Sequence, residues 1–396
     1  MRIAYLTNIL IDATDSGGSV HATQIIKRLI NKKHIIYTNL KNKSNNFVKW
    51  GVEDFFGNEK KIDIFYVRID GYEGNDELTL LKKSNPFVPC IWEINAPLEE
   101  LRTYGISERK LQKLNKRRKK LAKMVDMAIC VSCEIEQYAK NELGVKKTFV
   151  IHNGSDPELF TPEKKDNNIY DRTKYKVLWA GSPKYKWQGF RKVQKLSKIL
   201  KEKGMNDILI IVTAVGKSSE NIIYIGHIPY SEMPRYMASA DVGLCIYEDI
   251  DFYEQFYFSP LKLYDYMASG LPVIGSDVGQ IKFVVEENQN GLLTDNSVED
   301  LIEKILFLKN NPDKASEMGY KGRKAVIEKY NWDNVVLQTE SILLDAIEKH
   351  KMLMNSLPKW RLAISNFNSK VGRTLRHYYS SSRHILSKAK STLILC

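Results

Sequence analysis

A segment in the second half of the chain combines residue types suited to binding phosphate and ribose. From residue 259 to 274 it reads SPLKLYDYMASGLPVI, and its Ser-Pro start together with Gly270 near its end predicts a capped helix. The free N–H groups and the positive dipole at such a helix start attract a diphosphate. We therefore expect the phosphates to contact the residues at this helix start, namely Ser259, Pro260, Leu261 and Lys262.

One carboxylate lies about a turn further along the same helix. Asp265 could accept hydrogen bonds from both ribose hydroxyls, as an acid does in dinucleotide-binding folds. The segment is also compatible with an ordinary capped helix in which Lys262 and Asp265 are solvated. The residue types alone leave both interpretations open.

A pair of glycines precedes another helix, after the first apolar run. Gly17 and Gly18 let the backbone come close to a ligand, and the helix start can hold an anion. The spacing does not match the G-x-G-x-x-G dinucleotide fingerprint, so NAD is not inferred. His21 in the same helix is more typical of a structural residue than of a catalytic one.

Polar residues also follow other strand-like runs. Glu93 and Asn95 come directly after one run, and active-site residues of parallel α/β proteins gather where strands end, so both are candidates for binding a sugar or an acceptor. The alternative is that they cap a helix beginning at Pro97. Another run is followed by a loop carrying Lys184 and Lys186. Judged from this loop alone, two such lysines more often have no role in binding or catalysis.

Strands and helices alternate along almost the whole chain and would position these loops. Apolar runs at 3–6, 34–37, 62–67, 88–92, 127–131, 148–151, 175–180, 208–212, 222–225, 242–246 and 272–275 predict strands. Helical patterns between them include 22–30, 97–124 and 134–143. Continuous apolar strands separated by helices indicate parallel sheets covered on both faces, so the predicted fold class is α/β with two doubly wound domains.

The polar stretch 161–172 has no periodicity and is interpreted as the interdomain linker. It predicts an N-terminal Rossmann-like domain over residues 1–165 and a C-terminal one over residues 166–350. A long helix near 332–349 is expected to close the second domain. A basic amphipathic tail would follow over residues 351–396.

The net charge of +13 is concentrated in two segments. Residues 108–124 contain nine Lys or Arg and one Glu, and residues 351–396 contain nine and no acid, so the rest of the chain is slightly acidic. This distribution disfavours nucleic-acid binding. Apolar side chains fall on one face of residues 108–124 and recur at steps of three and four in the tail, which favours contact of both segments with an anionic membrane surface. For residues 108–124, a helix packed on its own domain is the alternative.

The chain shows no apolar run of membrane-spanning length and no signal-peptide pattern, so we expect a cytoplasmic protein, peripheral at the inner face of the membrane. Its five cysteines include a C-x-x-C at Cys130 and Cys133. No second pair of suitable spacing exists, which favours ordinary buried thiols over a redox or metal site.

Several motifs in the right order resemble those of glycosyltransferase family 4, whose enzymes have the GT-B fold. The stretch MASGLPV at 267–273 is similar to the family signature, and HNGSD at 152–156 with Phe160 and Pro162 is similar to its N-G-x-D-x3-F-x-P element. Residues 225–226, 240–242, 276–279 and 290–293 also match. The resemblance covers about residues 1–345 and implies two Rossmann-like domains facing each other across a cleft.

The resemblance gives roles to residues of the C-terminal domain. Asp265 stands where the second Glu of the family's Glu-x7-Glu pattern holds the ribose. Lys186 stands where a Lys contacts the donor diphosphate, and Lys184 would supply the charge of an Arg whose place is taken by Ser182. We expect the side chains of Asp265, Lys186 and Lys184 to bind the donor.

The first Glu of the pattern falls on Tyr257, which is a departure from the family. That Glu contacts the donor sugar or supports the reacting centre, so its replacement leaves the donor sugar open. Tyr257 itself and Glu254, three residues earlier, are the candidates for contacting the donor there. On the N-terminal side, the resemblance places Gly17 and Gly18 across the cleft from the donor, where Gly18 is a candidate for contacting the donor phosphate and Gly17 for contacting the acceptor. Asn95 stands where many relatives have a His that touches the donor sugar.

The activity implied by the resemblance is transfer of a sugar from a nucleoside diphosphate sugar to an acceptor hydroxyl, with retention at the anomeric carbon. It implies no metal and no other cofactor, and Lys262, Lys186 and Asn95 are the expected catalytic residues. The acceptor would be a glycan, or a lipid-linked glycan of a cell-surface polysaccharide. Two alternatives are a nucleotide-sugar epimerase and a non-catalytic GT-B-like protein that binds a membrane or a partner.

Overall fold

The computed structural model describes residues 1–7, 16–38, 52–54, 62–69, 78–79, 82, 85–248 and 255–357, with only the backbone described for 52–54. The predictions made for Glu254 and for the tail from residue 358 onward lie outside the described residues. So does the prediction for the side chain of Lys186, whose backbone is described.

Seven parallel strands form the N-terminal sheet, in the order β3-β2-β1-β4-β5-β6-β7. The strands are β1 Arg2–Thr7, β2 Ile35–Thr38, β3 Val52–Asp54, β4 Ile64–Arg68, β5 Cys90–Ile94, β6 Met127–Cys130 and β7 Thr148–Val150.

Six parallel strands form the C-terminal sheet, in the order β10-β9-β8-β11-β12-β13. They are β8 Tyr175–Trp179, β9 Ile208–Val212, β10 Ile222–Tyr224, β11 Val242–Cys245, β12 Val273–Ser276 and β13 Gly291–Thr294. Both sheets follow the Rossmann order 3-2-1-4-5-6, in which ligands bind outside the strand ends at the point where the order reverses. The predicted α/β class with two doubly wound sheets is confirmed.

Ten α-helices lie in the described part of the chain. They are α1 Gly17–Asn31, α2 Glu108–Ala122, α3 Cys133–Asn141, α4 Phe190–Glu202, α5 Met233–Ala238, α6 Leu261–Ala268, α7 Gly279–Asn288, α8 Val298–Asn310, α9 Pro312–Glu328 and α10 Trp332–Ser356. Short 3₁₀ helices span Leu98–Tyr104, Pro162–Lys164 and Lys186–Gln188. None of the described helices is long and apolar enough to cross a bilayer.

The helix predicted over 97–124 is wrong as a single element. A 3₁₀ helix covers its first part and ends at Gly105, whose φ of +72° belongs to the left-handed region that favours glycine. The chain then enters α2, whose Leu111, Leu114 and Leu121 are buried. The apolar face of α2 therefore packs on its own domain, and its cationic face is exposed.

The last helix, α10, does not close the second domain as predicted. Its Trp332, Val336 and Leu343 are buried in one cluster with Ile25 and Ile26 of α1. Because this apolar face covers the N-terminal sheet, the chain crosses back to the first domain after completing the second.

Two further expectations concern the linker and the cysteines. Residues 161–172 lie against the C-terminal domain, where Tyr170 is buried and its ring centroid lies 6.4 Å from that of Tyr236. Cys130 is a buried free thiol, as predicted, whereas Cys133 is exposed at the start of α3, so its predicted burial is wrong.

Candidate functional site

The start of α6 lies in the cleft between the two sheets. Pro260 is its N-cap residue and no side chain caps this end, so the predicted cap by Ser259 is wrong. The Ser259 hydroxyl instead accepts a hydrogen bond of 3.0 Å from the backbone N–H of Asn153. Gly270, with φ of +74°, follows the helix end as predicted. The uncapped first turn keeps the positive end of the helix dipole available to an anion.

Lys262, in this first turn, is buried rather than solvated. Its Nζ lies 5.1 Å from the centroid of the Trp179 ring and 5.0 Å from that of Tyr247, and it has no hydrogen-bond partner among the described residues. Burial lowers the pKa of Lys262 from 10.5 to about 8. An unpaired buried ammonium is costly, so this position calls for an anionic ligand.

The loop after β8 lies near Lys262. Its backbone is fixed by hydrogen bonds from the N–H of Gly181 to Thr213 Oγ1 (3.1 Å) and from the N–H of Ser182 to Gln188 Oε1 (2.9 Å). Lys184 is exposed on this loop and forms no ion pair within the described residues. The loop begins directly after Trp179, one of the rings beside Lys262, so it lies near the start of α6.

The glycine-rich start of α1 meets the start of α6 across the cleft. A Cβ placed on Gly17 would lie 3.2 Å from Leu261 Cδ1, so only glycine allows this approach without displacing Leu261. Ser16 caps α1 by accepting a hydrogen bond from the N–H of Ser19. The N-terminal turns of two helices, one from each domain, therefore adjoin at one place, and their dipoles favour negative charge there.

Glu93 is buried at the end of β5 and forms the centre of a polar network. Its Oε1 lies 2.8 Å from His21 Nε2 and 3.4 Å from Arg68 Nε, and it accepts a 2.8 Å hydrogen bond from Asn95 Nδ2. The Tyr66 hydroxyl donates to Oε2. Burial would raise the pKa of Glu93, but His21 and Arg68 hold it well below its usual range.

This arrangement changes the interpretation of two residues predicted to face an acceptor. Glu93 is 3% exposed, and the protein already occupies its two oxygens, so we interpret it as a positioning residue. Asn95 is half-buried and bonds to Glu93, and the 3₁₀ helix that follows has no side-chain cap, so the capping alternative is not observed. Arg68 donates to the carbonyl of Gly18 (3.1 Å), which ties the network to the glycine turn.

The network continues into the other domain through Asn153. Asn153 Nδ2 donates to the carbonyl oxygen of Ser259 (2.6 Å), so its Oδ1 must accept from His21 Nδ1 at 2.7 Å. His21 Nε2 lies 2.8 Å from the carboxylate oxygen Oε1 of Glu93, so the ring lies between Asn153 and Glu93. Glu93, His21, Asn153 and Ser259 thus connect the N-terminal sheet to the start of α6.

Asp265, predicted to hold the ribose, is 3% exposed. Its Oδ1 accepts from Ser155 Oγ at 2.5 Å and from the Tyr230 hydroxyl at 3.4 Å. Burial raises the pKa of Asp265 to about 7, while these hydrogen bonds oppose the rise. In this conformation the carboxylate is bonded to protein, and ribose would have to compete with the two hydroxyls.

Tyr257 joins the two domains. Its ring is buried in the N-terminal cluster, where the centroid of Tyr138 lies 6.2 Å away, and its carbonyl accepts a 2.7 Å hydrogen bond from Ser132 Oγ. The position that holds an acid in the resembling family is therefore filled here by an apolar interdomain contact. This observation does not support a donor contact from the Tyr257 side chain.

Sequence reasoning missed an aromatic cluster beside Lys262. Trp187 stacks on Phe258 with centroids 4.4 Å apart and ring planes at 3°, and it also stacks on Tyr247 at 5.4 Å. The aromatic composition of residues 247–258 was the available signal. Trp179, Tyr247 and Asn153 were also missed, because their roles depend on contacts between distant parts of the chain.

Comparisons with known proteins find similar sequences and similar folds. Residues 191–341 match the family model described as glycosyl transferase-like. The poly(ribitol-phosphate) alpha-N-acetylglucosaminyltransferase of Staphylococcus aureus is 40% identical over 99 residues, which is 24% of this chain and 18% of that protein. The chain covers only 18% to 33% of the lengths of four curated relatives.

Two solved structures extend the likeness to both domains. The sucrose-phosphate synthase of Thermosynechococcus elongatus superposes with a TM-score of 0.64 at 15% identity, over 88% of this chain and 100% of that one. HepE of Anabaena, solved in complex with UDP, gives 0.63 at 14% identity over 87% and 100%. The chain therefore has the fold of these two structures, and residues 191–341 are similar to the glycosyl transferase-like family.

Proposed function

We propose that the protein transfers a sugar from a nucleoside diphosphate sugar to an acceptor hydroxyl. The observation that carries the proposal is Lys262, a buried ammonium without a partner among the described residues, in the first turn of α6. A diphosphate at this point would neutralise Lys262 and accept hydrogen bonds from the first-turn N–H groups of α6. The glycosyl transferase-like match includes this helix.

The reaction proposed is retaining and independent of a metal ion. As the bond from the sugar to the diphosphate breaks, charge on the leaving oxygen would be stabilised by Lys262, by Lys184 and by the N-terminal turns of α1 and α6. No protein nucleophile is required, because a donor phosphate oxygen can take the proton from the acceptor hydroxyl. Asn95, half-buried at the end of β5, is the proposed contact to the donor sugar.

Asp265 and Lys186 complete the proposed donor site. Asp265 would hold the ribose after exchanging its hydrogen bonds with Ser155 and Tyr230 for bonds from the sugar. Lys186 belongs to the loop after β8, whose backbone is fixed near Lys262, and is proposed to contact the diphosphate. UDP is the first nucleotide to test, because HepE was solved with UDP.

The proposed acceptor is a glycan, including one linked to a lipid, and the proposed place of action is the inner face of a membrane. A structural neighbour, WaaG, is described as a glycosyltransferase involved in lipopolysaccharide biosynthesis. Because the leucines of α2 are buried, we propose that α2 approaches an anionic surface by its charges alone, without inserting apolar side chains.

The test is incubation of the full chain with UDP-, GDP- and ADP-linked sugars, with and without EDTA and with a panel of glycan and glycolipid acceptors. Acceptor-dependent release of one nucleoside diphosphate, unaffected by EDTA, is the expected result. Conversion of the donor to another sugar nucleotide without any acceptor would instead identify an epimerase. Absence of turnover together with absence of nucleotide binding would refute the proposal.

A further inference from the structure

A cavity of about 780 Å³ lies in the N-terminal domain, outside the donor site. It lies between the 3₁₀ helix Leu98–Tyr104 and α2 and is open to solvent on one side. Its volume falls within the range of pockets that hold small organic ligands. None of the residues assigned above to the donor lines it.

The rim of this cavity is cationic. Lys110, Lys113 and Arg117 line it, and their spacing of three and four residues places them on one face of α2. Lys110 and Lys113 are exposed and have no ion-pair partner within the part of the chain that the structure describes. Glu100 is the one acid among the lining residues, so the rim attracts an anion.

The floor of the cavity is apolar. Leu98 and Leu114 line it and are 1% and 6% exposed, and Leu101 packs against them. Arg118, which also lines the cavity, is buried; it donates to the carbonyl of Ala96 (2.6 Å) and lies 5.4 Å from the centroid of the Trp92 ring. This arginine fixes the inner wall, so the cavity is built into the domain.

The cavity also borders the cleft. Ala96 and Pro97, which line it, directly follow Asn95. Tyr104, another lining residue, contacts Tyr185 of the C-terminal domain with ring centroids 6.1 Å apart. Tyr185 lies in the loop after β8, next to Lys184. A ligand in the cavity would thus extend toward the proposed donor site.

We propose that this cavity binds the acceptor through a phosphate attached to a hydrocarbon chain. The chain would cover the leucine floor, and the phosphate would pair with Lys110 and Lys113 at the rim. A free phosphate would leave the apolar floor empty, and a neutral chain would leave the rim uncompensated, so an anionic amphiphile fits both. That the ligand is the acceptor rests on the proposed function, whereas binding of an anionic amphiphile in the cavity does not.

The test uses octyl phosphate below its micellar concentration, titrated calorimetrically into the full chain, with inorganic phosphate and octanol as separate probes. We expect octyl phosphate to bind at least about tenfold tighter than either of them. The double variant Lys110→Ser/Lys113→Ser should weaken its binding about tenfold. The matched control, Lys119→Ser/Lys120→Ser, removes the same charge from exposed positions of α2 outside the cavity and should change binding less than about twofold.

Equal losses of octyl phosphate affinity in the two double variants would show attraction to the whole basic surface and would overturn the proposal. Binding of inorganic phosphate as tight as that of octyl phosphate would also overturn it. A variant that fills part of the cavity, Ile106→Trp, keeps every charge and should weaken octyl phosphate binding. UDP binding, measured on each variant, should stay unchanged. If octyl phosphate binds as expected while no nucleotide does, the cavity stands and the proposed transferase function fails.

Discussion

Replacing Lys262 by Met should make the unliganded protein more stable and should weaken its binding of a nucleotide. Methionine keeps a similar length and apolar stem but removes the ammonium that the structure buries without a partner. A lysine kept for stability would behave in the opposite way. The variant therefore separates a functional residue, retained at a cost in stability, from a structural one.

The magnitude follows from the pKa of Lys262. Its fall from 10.5 to about 8 corresponds to roughly 3 kcal/mol of destabilisation when the group is charged. Attraction to the rings of Trp179 and Tyr247 offsets about 0.5–2 kcal/mol of this cost. We expect Lys262→Met to raise the free energy of unfolding by about 1–2 kcal/mol at pH 7.

The sign of the pH dependence is fixed by the same shift. Below pH 8 the lysine is charged in both the folded and the unfolded chain, so the full cost is present. Between pH 8 and 10.5 the unfolded chain binds more protons, so the stability of the wild type rises with pH. The advantage of Lys262→Met should therefore shrink over this range.

Urea unfolding at pH 7 and pH 9.5, together with calorimetric titration of UDP, measures both effects. We expect UDP affinity to fall about 10- to 100-fold in Lys262→Met, because a charge-assisted contact is lost. Lys195→Met, at an exposed position on α4, is the matched control and should change neither quantity. Lower stability of Lys262→Met, or unchanged UDP affinity, would refute the assignment.

Three other changes test the rest of the site. The wild type should lose stability as pH rises through about 7, because the raised pKa of Asp265 favours the protonated folded state below that pH. Asp265→Asn should abolish this loss. The variant should also bind UDP more weakly, and unchanged affinity would remove Asp265 from the site. Asn153→Ala leaves His21 Nδ1 and the Ser259 carbonyl unpaired, so urea unfolding should show a loss of roughly 2 kcal/mol or more; a loss below about 0.5 kcal/mol would contradict the network. Tyr257→Glu should destabilise the chain by several kcal/mol because it places a carboxylate in an apolar cluster, with Tyr257→Phe as control, and equal stability of the two variants would exclude the interdomain packing role.

Much of the fold could be predicted from local patterns. Each predicted apolar run overlaps a strand, because strands of a sheet covered on both faces are continuously apolar. β3, with the sequence VED, carries no such signal. The packing position of α10 could not be predicted, because the apolar face of this helix does not specify which domain it covers.

The candidate site was predictable in its positions and less so in its environments. The capping pattern placed Lys262 in the first turn of a helix, but its burial depends on Trp179 and Tyr247, which come from two other strands and their loops. Glu93 was correctly placed at a strand end, yet its partners His21 and Arg68 are supplied by α1 and β4. Such tertiary contacts decide whether a polar residue faces a ligand or supports its neighbours.

The most direct test of the central claim is thermal unfolding of the full chain against UDP, GDP, ADP and their sugars, with and without magnesium. A nucleotide that binds the folded state at about 100 times its dissociation constant adds roughly 2.7 kcal/mol of stability. The predicted result is a shift with one base, the same with and without magnesium, and much reduced in Lys262→Met. No shift with any nucleotide would contradict the assignment of the α6 start as a diphosphate site.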